Sequence, residues 1–219
     1  MLLTEKPPIS PEATIPAEEA AVRINEALEA SDFETAYRWL QELTRITPES
    51  AQVYTTAGLV ALQLDRQGEA TMHFARALKM SPDDYVTNYN MALTEMRHER
   101  YDLALERLHH LRRLNASNAD VLNDIGVVWL QKNRPSRALA SFSRAMKLDP
   151  DHSMARNNAM ELCLTNGLTG RADKLLESQR QNPRLSPIAQ VEIHRWQEIL
   201  KDPTCVQGDR PPTEADGED

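Results

Sequence analysis

Histidines are the residues of this sequence best suited to bind a metal ion or to transfer protons, and there are six of them. His98 and Glu99 resemble the start of a zinc-binding helix motif, but that motif needs a second histidine where this sequence has Asp102. His109 and His110 are adjacent, so on a helix their side chains point about 100° apart and cannot share a metal ion well. We therefore expect no metal site.

The two cysteines, Cys163 and Cys205, are the other candidates for chemistry. They lie far apart, which indicates neither a disulfide framework nor a metal-binding pair. Cys163 lies in a helical pattern, where we expect it to be a small buried hydrophobic residue rather than a reactive thiol. The stretch TNGLTG has neither the spacing nor the lysine of a phosphate-binding loop. A Ser-His-Asp site could still form from residues that are distant in sequence, so this possibility stays open. Nothing in the sequence favours it, and we expect a protein that is not an enzyme and has no catalytic residues and no cofactor.

The composition favours helices. Of the 219 residues, 41% are hydrophobic and only 5% aromatic, there are 7 glycines, and alanine and leucine dominate the apolar positions. The net charge is −8, and residues 202–219 hold six acids and one base. The remaining sequence has no strongly basic stretch, so we expect no basic face and no nucleic-acid partner.

The chain also lacks the sequence signals of membrane insertion. The stretch MLLTEKPPISPEATIPAEEA has no apolar core of a signal peptide, and no apolar run approaches the roughly 18 residues that span a bilayer. We expect a cytoplasmic protein without a membrane span, since two distant cysteines fit a reducing compartment. An alternative left open is that a leader peptide has been removed.

Two stretches of the sequence repeat the same order of small, large, small and proline residues, separated by two periods of about 34 residues. A small residue at a helix crossing lets the two backbones approach, a large aromatic residue fills the flanking gap, and proline ends a helix. The pattern predicts a helical hairpin repeated along the chain. The matched positions are Ala70, Phe74, Ala77 and Pro82 in the first stretch, and Ala138, Phe142, Ala145 and Pro150 in the second.

This pattern resembles the tetratricopeptide repeat family, whose unit has bulky, Leu-Gly, Tyr, Ala, Phe, Ala and Pro positions in a fixed order. The resemblance implies an all-α fold, a right-handed α-solenoid of stacked helix-turn-helix hairpins with a C-terminal capping helix. The expected organisation is a disordered N-terminal arm (1–16), five repeat units (17–50, 51–84, 85–118, 119–152 and 153–186), a capping helix (187–201) and an acidic disordered tail (202–219).

Some positions depart from the family pattern. Asn88 and Glu95 stand in the third unit where the family is usually apolar, and Arg156 takes the first bulky position of the fifth unit. Terminal repeats are often atypical because one side faces water. Two explanations stay open for Glu95: it pairs with a neighbouring arginine, or the third unit is looser than the others.

The last predicted helix is mostly one-sided. Ser186 is the expected N-cap and Pro187 suits the first turn. Glu192 borders the apolar stripe of this helix, and Val191 points away from it. The stripe consists of Ala189, Ile193, Trp196 and Leu200.

The resemblance also implies a concave face, formed mostly by the first helix of each unit. An asparagine amide both donates to and accepts from a peptide bond, and aliphatic side chains take up apolar groups. Only Arg97 and Arg156 supply positive charge, so we expect no clamp for a terminal carboxylate. The expected peptide-binding residues are Thr55, Thr56, Leu59, Leu62, Gln63, Tyr89, Asn90, Leu93, Met96, Arg97, Asn123, Asp124, Val127, Leu130, Gln131, Asn157 and Asn158.

The function expected from this resemblance is that of a non-catalytic adaptor. It would bind a peptide or helix of a partner protein in the concave groove and support the assembly of a complex. The alternatives are a bacterial secretion or pilus-assembly chaperone that shields an apolar client segment, and a repeat subunit of a glycosyltransferase-type machine. Self-association also stays open.

Overall fold

A computed structural model describes residues 16–201, and over this range the chain is entirely helical, without a strand. The predicted tail and nearly all of the predicted N-terminal arm lie outside the described residues. The helices are α1 (Ala17–Glu29), α2 (Phe33–Ile46), α3 (Ala51–Gln63), α4 (Gln67–Met80), α5 (Tyr85–Arg97), α6 (Tyr101–Leu114), α7 (Ala119–Gln131), α8 (Pro135–Leu148), α9 (Ser153–Thr165), α10 (Thr169–Arg180) and α11 (Pro187–Lys201).

Neighbouring helices pack in pairs, α1 with α2, α3 with α4, α7 with α8 and α9 with α10. The predicted all-α fold of stacked helix-turn-helix hairpins is confirmed. We refer to the odd-numbered helices α1 to α9 as first helices and to the even-numbered ones as second helices. The first helices start at a constant interval, and α11 starts one further interval along the chain. The starting residues are Ala17, Ala51, Tyr85, Ala119 and Ser153, followed by Pro187 for α11.

The turn inside each hairpin has the same backbone conformation. Ser31, Asp65, Glu99, Asn133 and Gly167 have φ between +54° and +66°, each two residues after the end of a first helix. Left-handed backbone at this position satisfies the last carbonyls of the helix and reverses the chain. Only Gly167 is the residue type that adopts this conformation without steric cost.

Side-chain caps begin several of the helices. Asp32, Ser50 and Asn118 accept a hydrogen bond from the backbone N–H three residues later, at α2, α3 and α7. The predicted N-cap Ser186 does the same at α11, where it accepts from the N–H of Ala189 at 3.2 Å. These bonds satisfy backbone donors that have no partner inside the helix.

The chain divides into two compact units, residues 1–94 and 95–219. In the first unit, Phe74 of α4 is fully buried against Gly58 of α3. In the second unit, Phe142 of α8 is buried in the same way against Gly126 of α7. A Cβ atom added to either glycine would lie 2.4 Å from the Cε1 atom of the phenylalanine, so the expected close approach is present in both units.

Candidate functional site

In the first unit, the predicted peptide-binding residues lie along α3 and α5, and each is at least partly exposed. A hydrogen bond joins the two helices, because the hydroxyls of Thr55 and Thr87 lie 2.6 Å apart. The side chain of Asn90 donates to the carbonyl of Val86 in its own helix. Thr55 is therefore occupied in joining α3 to α5, while Tyr89 and Asn90 reach the surface. The predicted peptide-binding residues of the first unit are Thr55, Thr56, Leu59, Leu62, Gln63, Tyr89, Asn90 and Leu93.

The exposed side of α5 carries aromatic and aliphatic groups. The rings of Tyr85 and Tyr89 stack, with their centroids 6.2 Å apart. Val86, between them in sequence, is 47% exposed. Leu59 and Leu62 of α3 are partly buried and pack against the core of the first unit. This face thus offers apolar contacts together with amide and hydroxyl groups.

In the second unit, the predicted asparagines largely bind one another and the last helix. Asn123 of α7 is only 3% exposed, and its amide oxygen accepts from Asn158 of α9 at 2.9 Å. Asn157 is exposed, and its amide oxygen accepts from the indole N–H of Trp196 in α11 at 2.9 Å. These amides join neighbouring helices of the stack, so Asn123 does not line an open surface.

The other predicted residues of the second unit are more accessible. Val127 and Leu130 are partly buried and pack against the core of this unit. Asp124 and Gln131 of α7 are partly or fully exposed. Arg97, at the end of α5, is also accessible, whereas Met96 beside it is only partly so.

The sequence predicted Arg156 as a positive charge of the concave face, but the structure buries this side chain. Its guanidinium is fully buried, donates to Gln179 at 2.9 Å and to the carbonyl of Pro150 at 2.6 Å, and pairs with Glu192 of α11. Burial lowers the pKa of Arg156, and the nearby Glu192 carboxylate opposes that shift. Arg156 therefore ties α9 to α10 and α11 and is not available to a ligand. The sequence indicates this pair in one way: Arg156 and Glu192 are two opposite charges at or beside positions that are otherwise apolar.

Glu95, the other misfit, is also paired. It is 3% exposed, and one of its carboxylate oxygens accepts from Arg107 of α6 at 2.8 Å. The first of the two explanations is therefore correct: Glu95 pairs with an arginine. Asn88 is buried in a similar way and donates to the carbonyls of Pro82 and Asp84.

A polar cluster in the first unit joins the second helices α2 and α4. The hydroxyl of Tyr37 donates to Glu69 at 2.7 Å and lies 2.9 Å from Nε2 of His73. Since the single hydroxyl proton goes to the carboxylate, Nε2 of His73 donates to the tyrosine oxygen. Burial raises the pKa of Tyr37 and lowers that of His73. The tyrosine thus stays protonated at neutral pH, so this cluster is suited to joining two hairpins and not to nucleophilic chemistry.

Residues 16–201 contain no group of three or more His, Cys, Asp or Glu side chains placed to hold a metal ion. No helix among them combines the length and the apolar character needed to cross a membrane. Burial raises the pKa of Cys163, which makes its thiol less reactive.

Curated proteins with similar sequences are much longer than this chain. Human protein O-mannosyl-transferase TMTC3 is 30% identical over 124 residues, which are 52% of this chain and 13% of that protein. Bovine BBSome complex member BBS4 is 24% identical over 119 residues, 54% of this chain and 23% of that protein. The matched part therefore spans less than a quarter of either relative.

Solved structures with the same architecture cover most of the chain. A double mutant of MamA from strain RS-1 has a TM-score of 0.71 at 16% identity, over 85% of this chain and 99% of that one. PilF of Pseudomonas aeruginosa has a TM-score of 0.64 at 18% identity, over 88% of this chain and 90% of that one. At these identities the likeness shows the fold.

Family models agree with the repeat pattern. A model described as tetratricopeptide repeat matches residues 89–183, and a second model with the same description matches residues 51–84, the second predicted unit. Neither matched family is a catalytic one. With the constant interval between the starts of the first helices, these matches show that the chain belongs to the tetratricopeptide repeat family.

Proposed function

We propose that this chain is a non-catalytic adaptor that binds a segment of a partner protein on its first helices and supports the assembly of a complex. The observation that carries the proposal is the face formed by α3 and α5, where partly exposed apolar and aromatic side chains lie beside amides and hydroxyls. Such a face suits a peptide, because its amides pair with the peptide backbone and its apolar groups take up side chains.

The chemistry of this face also indicates the kind of segment. None of the predicted residues on α3 and on α5 up to residue 94 is charged. A strongly acidic or basic segment would gain no ion pair there and would lose hydration. We therefore expect a neutral segment with aliphatic or aromatic side chains, which contacts Tyr89, Asn90 and Leu93.

Two relatives bear on the kind of function that this chain has within a larger protein or assembly. BBS4 is described as a member of a complex, and TMTC3 as an O-mannosyl-transferase of which this chain matches a minor part. The similarity to TMTC3 supports one alternative function, that of a repeat subunit of a glycosyltransferase-type machine. The chaperone alternative requires the apolar side chains of the face to dominate binding.

The proposal is tested by native mass spectrometry of tagged chain purified from its own cells. The test variant carries Val86→Asp, Tyr89→Ala and Asn90→Ala, all on α5. The control variant carries Met72→Asp, because Met72 is 66% exposed on a second helix. We expect the co-purified partner to be lost from the test variant and kept by the control, with circular dichroism unchanged in both. A partner that both variants retain would show that this face does not bind it.

The same preparation separates the alternatives. A partner held by hydrogen bonds and charge is released at high salt, whereas an apolar client stays bound. Identification of the co-purified protein as a glycosyltransferase would favour the subunit alternative over a general adaptor.

A further inference from the structure

The last helix, α11, occupies the place of the first helix of a further repeat. It begins at Pro187, at the same interval after the start of α9 that separates α9 from α7. Ala189, Ile193 and Leu200 are buried on one side of α11, against the core of the second unit. The helix therefore continues the stack, and its outer side is the side that another helix would cover.

Elsewhere in the chain, the corresponding side of a first helix is covered by the next helix of the stack. The fifth residue of α7, Asn123, bonds to Asn158 of α9. The fifth residue of α9, Asn157, bonds to Trp196 of α11. In the first unit, the fifth residue of α3, Thr55, bonds to Thr87 of α5. The fifth position thus marks the face to which the next helix is added.

On α11 this face is apolar and open. Its fifth residue is Val191, which is 70% exposed, and Ile188 on the preceding turn is 75% exposed. No other large hydrophobic residue between positions 16 and 201 is as exposed as these two. Arg195 and Glu198 continue the line, because spacings of three, four and three residues keep all four side chains on one side. We call Ile188, Val191, Arg195 and Glu198 the outer stripe of α11.

Polar contacts hold the outer stripe in a fixed orientation. The pair between Glu192 and the buried Arg156 and the bond from Trp196 to Asn157 both join α11 to α9. Rotation of α11 that buried Val191 would break the contacts of Glu192 and leave the guanidinium of Arg156 unpaired, which is costly. The exposed apolar residues therefore cannot be hidden by a small rearrangement of the helix.

We propose that the outer stripe binds an α-helix of a partner protein, which lies along α11 as the next first helix would. The partner helix presents aliphatic residues to Ile188 and Val191 and an acidic residue to Arg195. Glu198 already pairs with Lys201 at 2.8 Å, so Arg195 is the charge that the partner must balance. This surface is separate from the face on α3 and α5 and goes beyond the function proposed above.

A second copy of this chain would fit the outer stripe less well. If two α11 helices paired in parallel, Arg195 would lie opposite Arg195 of the other copy. If they paired antiparallel around residue 193, Arg195 would lie opposite Val191. Neither arrangement offers the arginine an acidic partner. An antiparallel pair that set Arg195 opposite Glu198 would place Val191 and Ile188 opposite positions 202 and 205, beyond the end of α11, and would leave both apolar residues uncovered. Helix α1 of a second copy would offer one exposed large aliphatic residue, Val22, against the two of the outer stripe. A helix of a different protein can satisfy the apolar and the charged residues of the stripe together.

The test uses the full chain and two synthetic helical peptides of about 18 residues. One peptide has leucines at two positions three residues apart and a glutamate four residues further along the same face. Its twin has lysine in place of the glutamate. Fluorescence anisotropy is measured for the unaltered chain, for Val191→Asp, for Arg195→Glu, and for Val22→Asp as the control, because Val22 is 54% exposed on α1.

We expect the glutamate peptide to bind the unaltered chain and the control equally, and Val191→Asp to weaken binding by at least about tenfold. Arg195→Glu should reverse the preference between the two peptides. The proposal is overturned if neither peptide binds at about 1 mM, where even weak complexes form, or if Val191→Asp binds as well as the unaltered chain. The variant of Val86, Tyr89 and Asn90 should bind the peptide normally, which separates this result from the function proposed above.

Two other occupants would also overturn the proposal. Sedimentation that shows a dimer of the full chain, abolished by Val191→Asp, would assign the outer stripe to a second copy. Peptide binding that appears only after residues 202–219 are removed would assign it to the chain's own C-terminal segment.

Discussion

At Gly126 two helices approach so closely that a single methyl group does not fit. A Cβ atom there would lie within 3 Å of three ring atoms of Phe142, and the buried ring has no space to move into. We predict that Gly126→Ala lowers the free energy of unfolding by about 1–3 kcal/mol through overpacking. Phe142→Ala should lower it by about 3–5 kcal/mol through the cavity it leaves. Urea denaturation measures both.

Gly68 is the matched control. It lies in the first turn of α4, and a Cβ atom there would meet nothing within 4 Å. Gly68→Ala should raise the free energy of unfolding by up to about 1 kcal/mol, because alanine loses less backbone entropy than glycine in a helix. If Gly126→Ala proved as harmless as Gly68→Ala, the close approach would not be a constraint on this repeat.

Two partly buried histidines, His73 and His109, should titrate below the ordinary pKa of histidine. Burial lowers the pKa of His73 and of His109 below 6.5, and for His109 the charges of Arg112 and Arg113 act in the same direction. The unfolded chain then binds protons more tightly than the folded chain, so the free energy of unfolding falls as the pH drops below about 6.5. NMR titration of the ring protons should give midpoints below about 6.5 for both residues, and a midpoint above that value would contradict the predicted burial effect.

At the scale of the helix, α11 depends on one buried ion pair. Removing the carboxylate of Glu192 leaves the fully buried Arg156 without its charge partner. We predict that Glu192→Ala lowers the free energy of unfolding by roughly 2–4 kcal/mol, less than the full cost of a buried unpaired charge because Glu192 is itself partly exposed. Thermal denaturation followed by circular dichroism measures the loss.

Glu198→Ala provides the comparison on the same helix. Its pair with Lys201 is exposed on both sides, so its removal should leave the melting temperature unchanged within the error of the measurement. Equal effects of the two substitutions would mean that the pair between Arg156 and Glu192 does not hold α11 in place.

The helices could be predicted from the sequence because their signals are local. Ala138, Phe142 and Ala145 lie on one side of one helix, and proline ends a helix wherever it occurs. The candidate site was harder to predict, because contacts between hairpins depend on how the helices stack. From the sequence alone, Asn123 is expected to be a surface amide. In the structure it accepts a hydrogen bond from Asn158 of the next hairpin and is buried there. The same holds for Arg156, whose carboxylate partner is 36 residues away.

At the scale of the molecule, the last helix should contribute far more to stability than the residues after it. Leu200 is the last buried hydrophobic residue within positions 16–201. A chain that ends after Lys201 should keep its melting temperature to within about 2 °C, since less than about 1 kcal/mol is at stake. A chain that ends after Ser186 should melt several degrees lower, because it exposes the surface under α11 and unpairs Arg156. If calorimetry showed a much lower melting temperature for the chain that ends after Lys201, residues 202–219 would contribute to the stability of the fold.

The constant interval between the starts of the first helices has a consequence for the evolution of this chain. Because each first helix begins at the same interval, gain or loss of one whole repeat keeps the alternation of first and second helices. A gene duplication of 119–152 would place Ala119 directly after His152, where Ser153 now starts its helix in the same way. The protein can thus change its length by whole hairpins without a change in the order of its helices.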